Sequence, residues 1–327
     1  MSEATRVKKK YEDLLLGMKG VTGIGVNGSI IVYVDRLTPE LQGVLPRQLD
    51  GIAVHVKETG RVRLLSISSM AAIYGNRTGR WRPAPGGVSL GHPACTAGTL
   101  TCGVLDRRSL QFLGGLTNNH VGALNWGDIH IGKKGDPILQ PGPYDGGREP
   151  ADEIGELLDW VEVTKDSPNL VDASIFSSNE LKKDVLDIGS PSHTVEPRVG
   201  MKVTKSGRTS GVNYGSITDV SATIKVDGGE GWGECIFKEQ IILEPAMLQP
   251  GDSGSWVGEI DSFNTVGLGF AGSESLSIAN PALTVEQLLD VVIVPPVPPI
   301  KLRNAFGLVA VMFGLGVSFM IGGKKKR

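Results

Sequence analysis

The sequence predicts a mainly β protein, with a small α/β domain before the β-rich part and a hydrophobic helix after it. Three observations indicate this arrangement. From residue 95 onward, short runs of alternating apolar and polar residues recur between turn signals, which is typical of a barrel or sandwich rather than a parallel sheet. The 45 glycines and the low aromatic content of 6% suit a chain with many tight turns. The first 74 residues instead combine a helical pattern with strand patterns.

Residues 1–74 predict a compact α/β domain that packs against the remainder of the chain or guides substrates to it. Apolar side chains at helical spacing over residues 7–20 indicate a helix that ends near glycines. Strand patterns over residues 21–26 and 29–34 flank an Asn-Gly turn pair and predict a hairpin. The other predicted elements are a helical turn near residues 39–45 and strands at 51–57 and 61–66.

Residues 75–94 are rich in glycine, proline and arginine, which predicts a linker. Within this stretch Arg77, Arg80 and Arg82 surround Trp81 and could grip an acidic partner. Runs of charge are usually solvated, however, so our interpretation is a solvent-exposed linker.

Residues 95–294 predict the main domain, which comprises two groups of strands followed by a helix over residues 284–292. The first group has a candidate base and a candidate acid near its strands, and the second has a candidate nucleophile. The predicted strands cover residues 96–105, 110–118, 128–131, 153–163 and 171–176 in the first group, and 201–206, 215–220, 222–226, 236–243, 254–259 and 266–271 in the second.

The candidate nucleophile is Ser253, within the sequence Gly-Asp-Ser-Gly at residues 251–254. A serine hydroxyl is a poor nucleophile at neutral pH and needs a neighbouring base, and the oxyanion that forms needs preorganised donors. The glycines let the chain turn sharply, so the backbone N–H groups of Gly251 and Ser253 can point into one hole. A turn without chemistry has a similar composition. The other candidate residues decide between the two interpretations.

His120 is the candidate base, because it alone among the five histidines follows an apolar strand end and a polar turn before Ser253. Asp172 is the candidate acid that would orient His120, because it lies between His120 and Ser253 in a run of small and apolar residues. A buried carboxylate there would hold the imidazole in one tautomer. The histidines and aspartates set aside lie in strand-like, proline-containing or polar stretches: His55, His92, His130, His193, Asp128, Asp136, Asp145, Asp152, Asp159 and Asp166.

The order His–Asp–Ser, together with the Gly-Asp-Ser-Gly turn, resembles the chymotrypsin/trypsin-like serine peptidases and differs from the order in subtilisin or the α/β-hydrolases. Residues 135–143, 205–211 and 267–273, and the Ala-Asn-Pro sequence at 279–281, are similar to a bacterial subgroup with a small N-terminal α/β domain. They are also similar to the plant narrow-leaf trypsin-like proteins. The resemblance covers about residues 10–294.

The resemblance implies a chymotrypsin-like double β-barrel that acts as a serine endopeptidase on protein or peptide substrates through an acyl-enzyme. It implies His120 as base, Asp172 as the residue that orients it, Ser253 as nucleophile, and Gly251 with Ser253 as oxyanion donors. Met247 stands six residues before Ser253, where trypsin has an acid, so we expect preference for an apolar or small side chain rather than for arginine or lysine. A weakly active or inactive barrel that serves as a binding or assembly scaffold is the alternative.

Composition argues against several other functions. The net charge of -2 shows no basic stripe for nucleic acid, which we do not expect as a partner. The three cysteines, Cys95, Cys102 and Cys235, lack metal-ligand spacing, so we expect no metal and no cofactor. Whether Cys95 pairs with Cys102, and which oligomeric state the protein adopts, stay open.

The last part of the sequence predicts a membrane anchor. A proline-rich spacer at residues 295–304 precedes an uncharged, mostly apolar segment at 305–323, followed by the basic residues 324–327. At about 1.5 Å per residue the apolar segment just spans a bilayer core of about 30 Å.

The orientation of this anchor rests on two opposed observations. The positive-inside rule would place the basic cluster in the cytoplasm and the peptidase outside. Residues 1–20 show no signal-peptide pattern, however, so our interpretation is a membrane-associated protein with a cytoplasmic peptidase domain. The alternatives are a soluble cytoplasmic protein and a hydrophobic helix buried in a larger assembly.

Overall fold

The structure is a computed structural model that describes residues 2–65, 76–229 and 231–293. Within these ranges strands far outnumber helices, which confirms the mainly β class. The predicted spacer, apolar segment and basic tail at 295–327 lie outside the described residues, as does the predicted domain boundary at residue 74. In the described ranges, none of the helices has both the length and the apolar character that crossing a membrane would need.

The N-terminal part combines two helices with a small group of strands. The first helix begins at Glu3, earlier than the predicted residue 7. It is capped by Ser2, whose Oγ accepts a hydrogen bond from the Thr5 N–H at 3.1 Å. The hairpin predicted at the Asn-Gly pair is confirmed. The elements are α1 (Glu3–Leu16), β1 (Val21–Asn27), β2 (Ser29–Val34), α2 (Pro39–Val44), β3 (Gln48–Leu49), β4 (Ile52–Glu58) and β5 (Arg63–Leu64).

The first half of the main domain consists of short strands and one single-turn helix. A 3₁₀ turn at Pro143–Asp145 interrupts them. The elements are β6 (Ala84–Gly86), β7 (Ser89–Leu90), β8 (Gly98–Thr99), β9 (Gly103–Asp106), β10 (Phe112–Thr117), α3 (Asn119–Gly122), β11 (Asn125–Trp126), β12 (Ile129–His130), β13 (Pro137–Leu139), β14 (Glu153–Trp160), β15 (Ser174–Ser177), β16 (Leu181–Val185) and β17 (Ser192–Thr194).

The second half has longer strands, and the two strands predicted at 215–220 and 222–226 are one continuous strand. The helix predicted at 284–292 is shorter, because Asp290 adopts a positive φ of 53° and the chain continues as a strand. The elements are β18 (Lys202–Gly207), β19 (Gly211–Asp227), β20 (Glu234–Glu244), β21 (Trp256–Glu259), β22 (Asn264–Gly272), β23 (Ser277–Pro281), α4 (Ala282–Leu288) and β24 (Val291–Ile293).

Two main sheets organise these strands. The first half contributes a six-stranded sheet in the order β13-β14-β15-β10-β9-β24, which the last described strand completes. The second half contributes a sheet in the order β18-β21-β22-β23-β20-β19, which continues through β1-β2-β4-β3. The N-terminal strands therefore extend the second sheet, through antiparallel pairing of Gly23 with Ile224 and of Ile24 with Thr223.

Gly23 is required at this junction. A Cβ there would lie 2.3 Å from Ile224 Cδ1 and 2.8 Å from Thr223 O. Only glycine lets β1 approach β19 this closely.

The stretch at 75–94 differs from the solvent-exposed linker that we expected. Arg77 is only 1% exposed, and its Nη1 donates to Gly87 O at 3.0 Å and to Ser206 Oγ at 2.7 Å. The strands β6 and β7 are buried as well. Because oxygen acceptors surround the guanidinium, the arginine can be buried with its donors satisfied.

Candidate active site

The turn that carries His120 follows β10 and is fixed by amide side chains. Asn118 Nδ2 donates to Asp172 O at 2.7 Å, and Asn119 Nδ2 donates to Asn125 O at 2.7 Å. Ser174 Oγ donates in turn to Asn118 O at 2.8 Å. These bonds tie the turn to the segment that leads into β15, so His120 and Asp172 are held by directly connected backbone.

His120 and Asp172 form a buried pair. Nδ1 of His120 contacts Oδ2 of Asp172, and the backbone N–H of His120 donates to Oδ1 at 3.1 Å. The Asp172 side chain is fully buried and that of His120 is 3% exposed. With Nδ1 facing the carboxylate, Nε2 is the ring nitrogen left to exchange a proton with another group.

Asn280 holds the backbone of Asp172. Its Oδ1 accepts from the Asp172 N–H at 2.9 Å, while its Nδ2 donates to Leu268 O at 3.2 Å. The Ala-Asn-Pro sequence at 279–281 therefore connects the carboxylate to β22 of the second sheet. Sequence reasoning named this stretch without giving Asn280 a role.

The turn that carries Ser253 lies between β20 and β21. Gly251 and Gly254 have φ values of +93° and +94°, which favour glycine. A Cβ at Gly254 would lie 2.1 Å from Thr99 O and 2.6 Å from Thr117 Oγ1, so this turn packs against β8 and the end of β10. The Ser253 carbonyl accepts from the Thr99 N–H at 2.7 Å, which fixes the nucleophile turn to the first half of the domain.

The turns that carry His120 and Ser253 meet at Gly98. A Cβ on Gly98 would lie 2.5 Å from Val121 Cγ2 and 2.9 Å from Ser253 O. Nε2 of His120 is buried, and within residues 2–65, 76–229 and 231–293 it has no hydrogen-bond partner. The Ser253 hydroxyl donates to Phe270 O at 3.1 Å. The structure thus brings His120 and Asp172 into contact and places Ser253 close by, with its hydroxyl directed to another acceptor.

Lys205 and Asp252 are two residues at the site that sequence reasoning missed. Both side chains are fully buried, and Lys205 Nζ lies 2.7 Å from Asp252 Oδ2. Oδ1 of Asp252 also accepts from the N–H groups of Thr209 at 2.8 Å and Ser210 at 3.1 Å. Burial lowers the pKa of Lys205, and the charge of Asp252 opposes this effect.

The Lys205–Asp252 pair fixes the residue that precedes the nucleophile. In the strand predicted at 201–206, Lys205 shares a face with the apolar residues Met201 and Val203, and this alternation is the sequence signal for its burial. A buried aspartate beside Ser253 requires a cation or several donors, and this segment supplies both.

The candidate oxyanion donor Gly251 already has an acceptor. Its N–H donates to the carbonyl oxygen of Leu65 at 2.6 Å. The preceding strand, β5, pairs antiparallel with β22, with Leu64 opposite Ala271 and Arg63 opposite Gly272. The carbonyl that lies at this amide therefore comes from the N-terminal part of the same chain.

Met247 does not line the cavity that contains Leu65, unlike its neighbour Leu248. The backbone N–H groups of Met247 and Leu248 both donate to Ser277 Oγ at 2.9 Å. The Met247 side chain packs into a core cluster with Val203 and other buried residues, whereas Leu248 lines the cavity. The expected preference for an apolar or small side chain stays a prediction.

The cysteines carry no obvious chemistry. All three are free thiols, so Cys95 and Cys102 are not paired in this structure. Burial raises the pKa of Cys95 and of Cys102 to about 12, which disfavours the reactive thiolate. Among the described residues, no group of three or more histidine, cysteine, aspartate or glutamate side chains could hold a metal ion.

Comparison with known proteins places the chain beside bacterial proteases of solved structure. It is similar to Cellulomonas bogoriensis chymotrypsin, with 16% identity over 65% of this chain and 98% of that one and a TM-score of 0.43. It is also similar to the Nocardiopsis protease NAPase, with 14% identity over 64% of this chain and 97% of that one, and a TM-score of 0.43. Thermobifida fusca protease A gives 15% identity, 64% and 98% coverage and a TM-score of 0.43.

These neighbours are chymotrypsin-like bacterial serine proteases, at low identity. No protein-family model matches the sequence, and no curated protein matches it either.

Proposed function

We propose that this chain is a serine endopeptidase that hydrolyses peptide bonds through His120, Asp172 and Ser253. The observation that supports this most strongly is the buried His120–Asp172 pair, which leaves Nε2 of His120 unpartnered among the described residues. A buried polar nitrogen without a partner costs free energy, so it calls for an explanation. A proton-accepting role toward the neighbouring serine provides one.

In the proposed reaction, the Ser253 hydroxyl rotates from Phe270 O toward His120 Nε2, which takes its proton as Oγ attacks the substrate carbonyl carbon. Asp172 stabilises the imidazolium that forms. The backbone N–H groups of Gly251 and Ser253 donate to the developing oxyanion. His120 then gives its proton to the leaving amine. Water next attacks the acyl-enzyme while His120 takes a proton from it, and His120 returns a proton to Ser253 Oγ as the ester bond breaks.

Peptide hydrolysis by variants of the full-length protein tests this proposal. Wild type is compared with Ser253→Ala and His120→Ala on a library of unstructured peptides. Leu65→Asp is assayed alongside, because the Leu65 carbonyl lies at Gly251 in the wild type. We expect wild type, Leu65→Asp or both to cleave the peptides. Whichever of the two is active should lose this cleavage when Ser253→Ala is added to it. Cleavage that persists without Ser253 would contradict the proposal.

The scaffold alternative predicts weak or no hydrolysis by all of these proteins, together with a biological role that Ser253→Ala leaves intact. The same set of variants therefore separates the two functions.

We also propose that residues 305–323 tether the peptidase to a membrane. The support is the sequence alone, an uncharged apolar segment followed by a basic cluster. Flotation with lipid vesicles tests this: the full chain should float and a chain that ends at residue 300 should not. Equal behaviour of the two would contradict the tether.

A further inference from the structure

The segment that leads to Leu65 lies along the candidate site as an added strand. Gly272 of β22 pairs with Arg63, and Ala271 pairs with Leu64. The preceding residue of β22 is Phe270, whose carbonyl oxygen accepts the hydrogen bond from the Ser253 hydroxyl. A peptide that adds antiparallel to a sheet edge is a common mode of peptide recognition, in which main-chain bonds give affinity and alternate side chains enter pockets. The segment is thus arranged as a bound peptide would be.

The side chains of the segment alternate as this arrangement requires. Val62 and Leu64 are 1% and 7% exposed and belong to one core cluster, whereas the Arg63 side chain is 64% exposed. Backbone bonds also hold the segment from the other side, since the Asp227 N–H donates to Val62 O at 3.0 Å. The position of the segment is therefore fixed by pairing on two sides and by burial.

Leu65 is the residue whose carbonyl meets the catalytic machinery of the proposed function. Its oxygen accepts from the Gly251 N–H at 2.6 Å, just below the range of about 2.7–3.1 Å over which oxyanion-hole donors act. The Ser253 N–H, the other candidate donor, has no backbone acceptor in the part of the chain that the structure describes. A carbonyl that one of the two candidate oxyanion donors already holds is in the position of a scissile carbonyl.

The side chain of Leu65 is largely buried. It is 7% exposed and lines a cavity together with Leu248, Gln249 and Pro250, the residues directly before the nucleophile turn. The same cavity is also lined by the charged residues Asp35, Arg61, Arg63 and Glu274. Because the Leu65 side chain itself is buried, an apolar residue is favoured at this position over a charged one.

We propose that the protein cleaves its own chain after Leu65, and that its other substrates likewise present a leucine-like residue before the scissile bond. This inference rests on the proposed function. Ser253 Oγ attacks the Leu65 carbonyl carbon while His120 Nε2 takes the hydroxyl proton. The bond from that carbon to the Ser66 nitrogen breaks, and the nitrogen takes the proton from His120. Water then hydrolyses the Leu65–Ser253 ester, which yields the Leu65 carboxylate and restores the serine.

The two products should stay associated. β1 pairs with β19, and the Thr59 N–H donates to Val34 O at 2.9 Å within the N-terminal part, so cleavage after Leu65 breaks none of these contacts. Cleavage would make Leu65 a free carboxyl terminus, no longer covalently bonded to the part of the chain that contains Ser253. It would thereby let the segment be exchanged for an external peptide.

Intact-mass spectrometry of the purified full chain tests this proposal, under denaturing conditions after timed incubation. We expect two fragments, one ending at Leu65 and one beginning at Ser66, which co-elute in native size exclusion. Ser253→Ala should remain intact. Leu65→Met should still be cleaved, whereas Leu65→Asp should be cleaved at least about 100-fold more slowly, because burying a carboxylate at this 7% exposed position costs free energy.

The sequence contains an internal control, because the dipeptide Leu-Ser recurs at Leu276–Ser277. Leu276 is fully buried in the core and its carbonyl is not at Gly251, so this bond should remain intact. Cleavage at both bonds, or only elsewhere, would overturn the inference.

The outcomes for the inference and for the proposed function are distinguishable through a fluorophosphonate probe. Labelling of Ser253 in a wild-type chain that stays uncut after Leu65 would overturn self-cleavage and leave the peptidase function standing. Absence of labelling and of cleavage, in wild type and in Leu65→Asp alike, would overturn both. Melting temperatures of the variants show whether each is folded.

Discussion

At the scale of single residues, the Asp172 carboxylate holds His120 through two contacts, one to Nδ1 and one to the backbone N–H. Asp172→Asn keeps the size of the side chain but favours the wrong tautomer of the imidazole. We expect a fall in the peptide hydrolysis rate of about 10⁴-fold, as in other Ser-His-Asp triads. Steady-state kinetics measure it. Asp166→Asn, at an exposed position, serves as the matched control and should leave the rate unchanged.

Lys205 is the second residue whose role is local and testable. Its ammonium group is the buried cation beside Asp252, so Lys205→Met leaves an unpaired buried carboxylate. We expect a loss of about 3–5 kcal/mol in the free energy of unfolding, since removal of one partner of a buried pair is strongly destabilising. Denaturant titration measures this loss. Lys202→Met, at an exposed position of the same strand, should change stability little, and equal effects of the two variants would contradict the account.

At the scale of elements, Asp219 joins β1 to β19. Its side chain accepts from the N–H groups of Val26 at 2.5 Å and Ser221 at 2.8 Å. Burial raises the pKa of Asp219 to about 6. In the unfolded chain this carboxyl releases its proton near its ordinary value of 3.8, so between about pH 4 and pH 6 unfolding releases a proton.

The contribution of Asp219 to stability is therefore present below about pH 4 and is lost as pH rises through about 6. We expect Asp219→Asn to remove this part of the pH dependence of the free energy of unfolding. Denaturation curves at intervals from pH 4 to 7 measure the slope. Asp261→Asn, an exposed carboxylate, should keep the wild-type slope, and an unchanged slope in Asp219→Asn would refute the assignment.

The elements also show what sequence could and could not predict. The Asn-Gly hairpin and most strand positions follow from local patterns, and His120, Asp172 and Ser253 stand out by their immediate flanks. The pairing of Gly23 with Ile224 joins segments about 200 residues apart, and local periodicity carries no information on such pairing. The burial of Arg77 is hidden for the same reason, since its acceptors Gly87 and Ser206 become neighbours only in the fold.

At the scale of the whole molecule, the N-terminal part contributes twice to the main domain. Its strands extend the second sheet, and its last described residue places a carbonyl at the Gly251 amide. Neither contact can be predicted from the sequence, because each joins residues that are far apart in the chain and become neighbours only in the fold. The molecule thus combines a candidate peptidase site with a segment of its own chain arranged as a bound peptide.

Covalent labelling with a fluorophosphonate, with the modified residue located by peptide mass mapping, shows whether Ser253 is an activated nucleophile. Wild type and Leu65→Asp are treated beside forms that also carry Ser253→Ala or His120→Ala. The account predicts one adduct, on Ser253, that is lost in both triad variants while Asp166→Asn keeps it. Labelling of another residue, or labelling of Ser253 that does not depend on His120, would contradict the account.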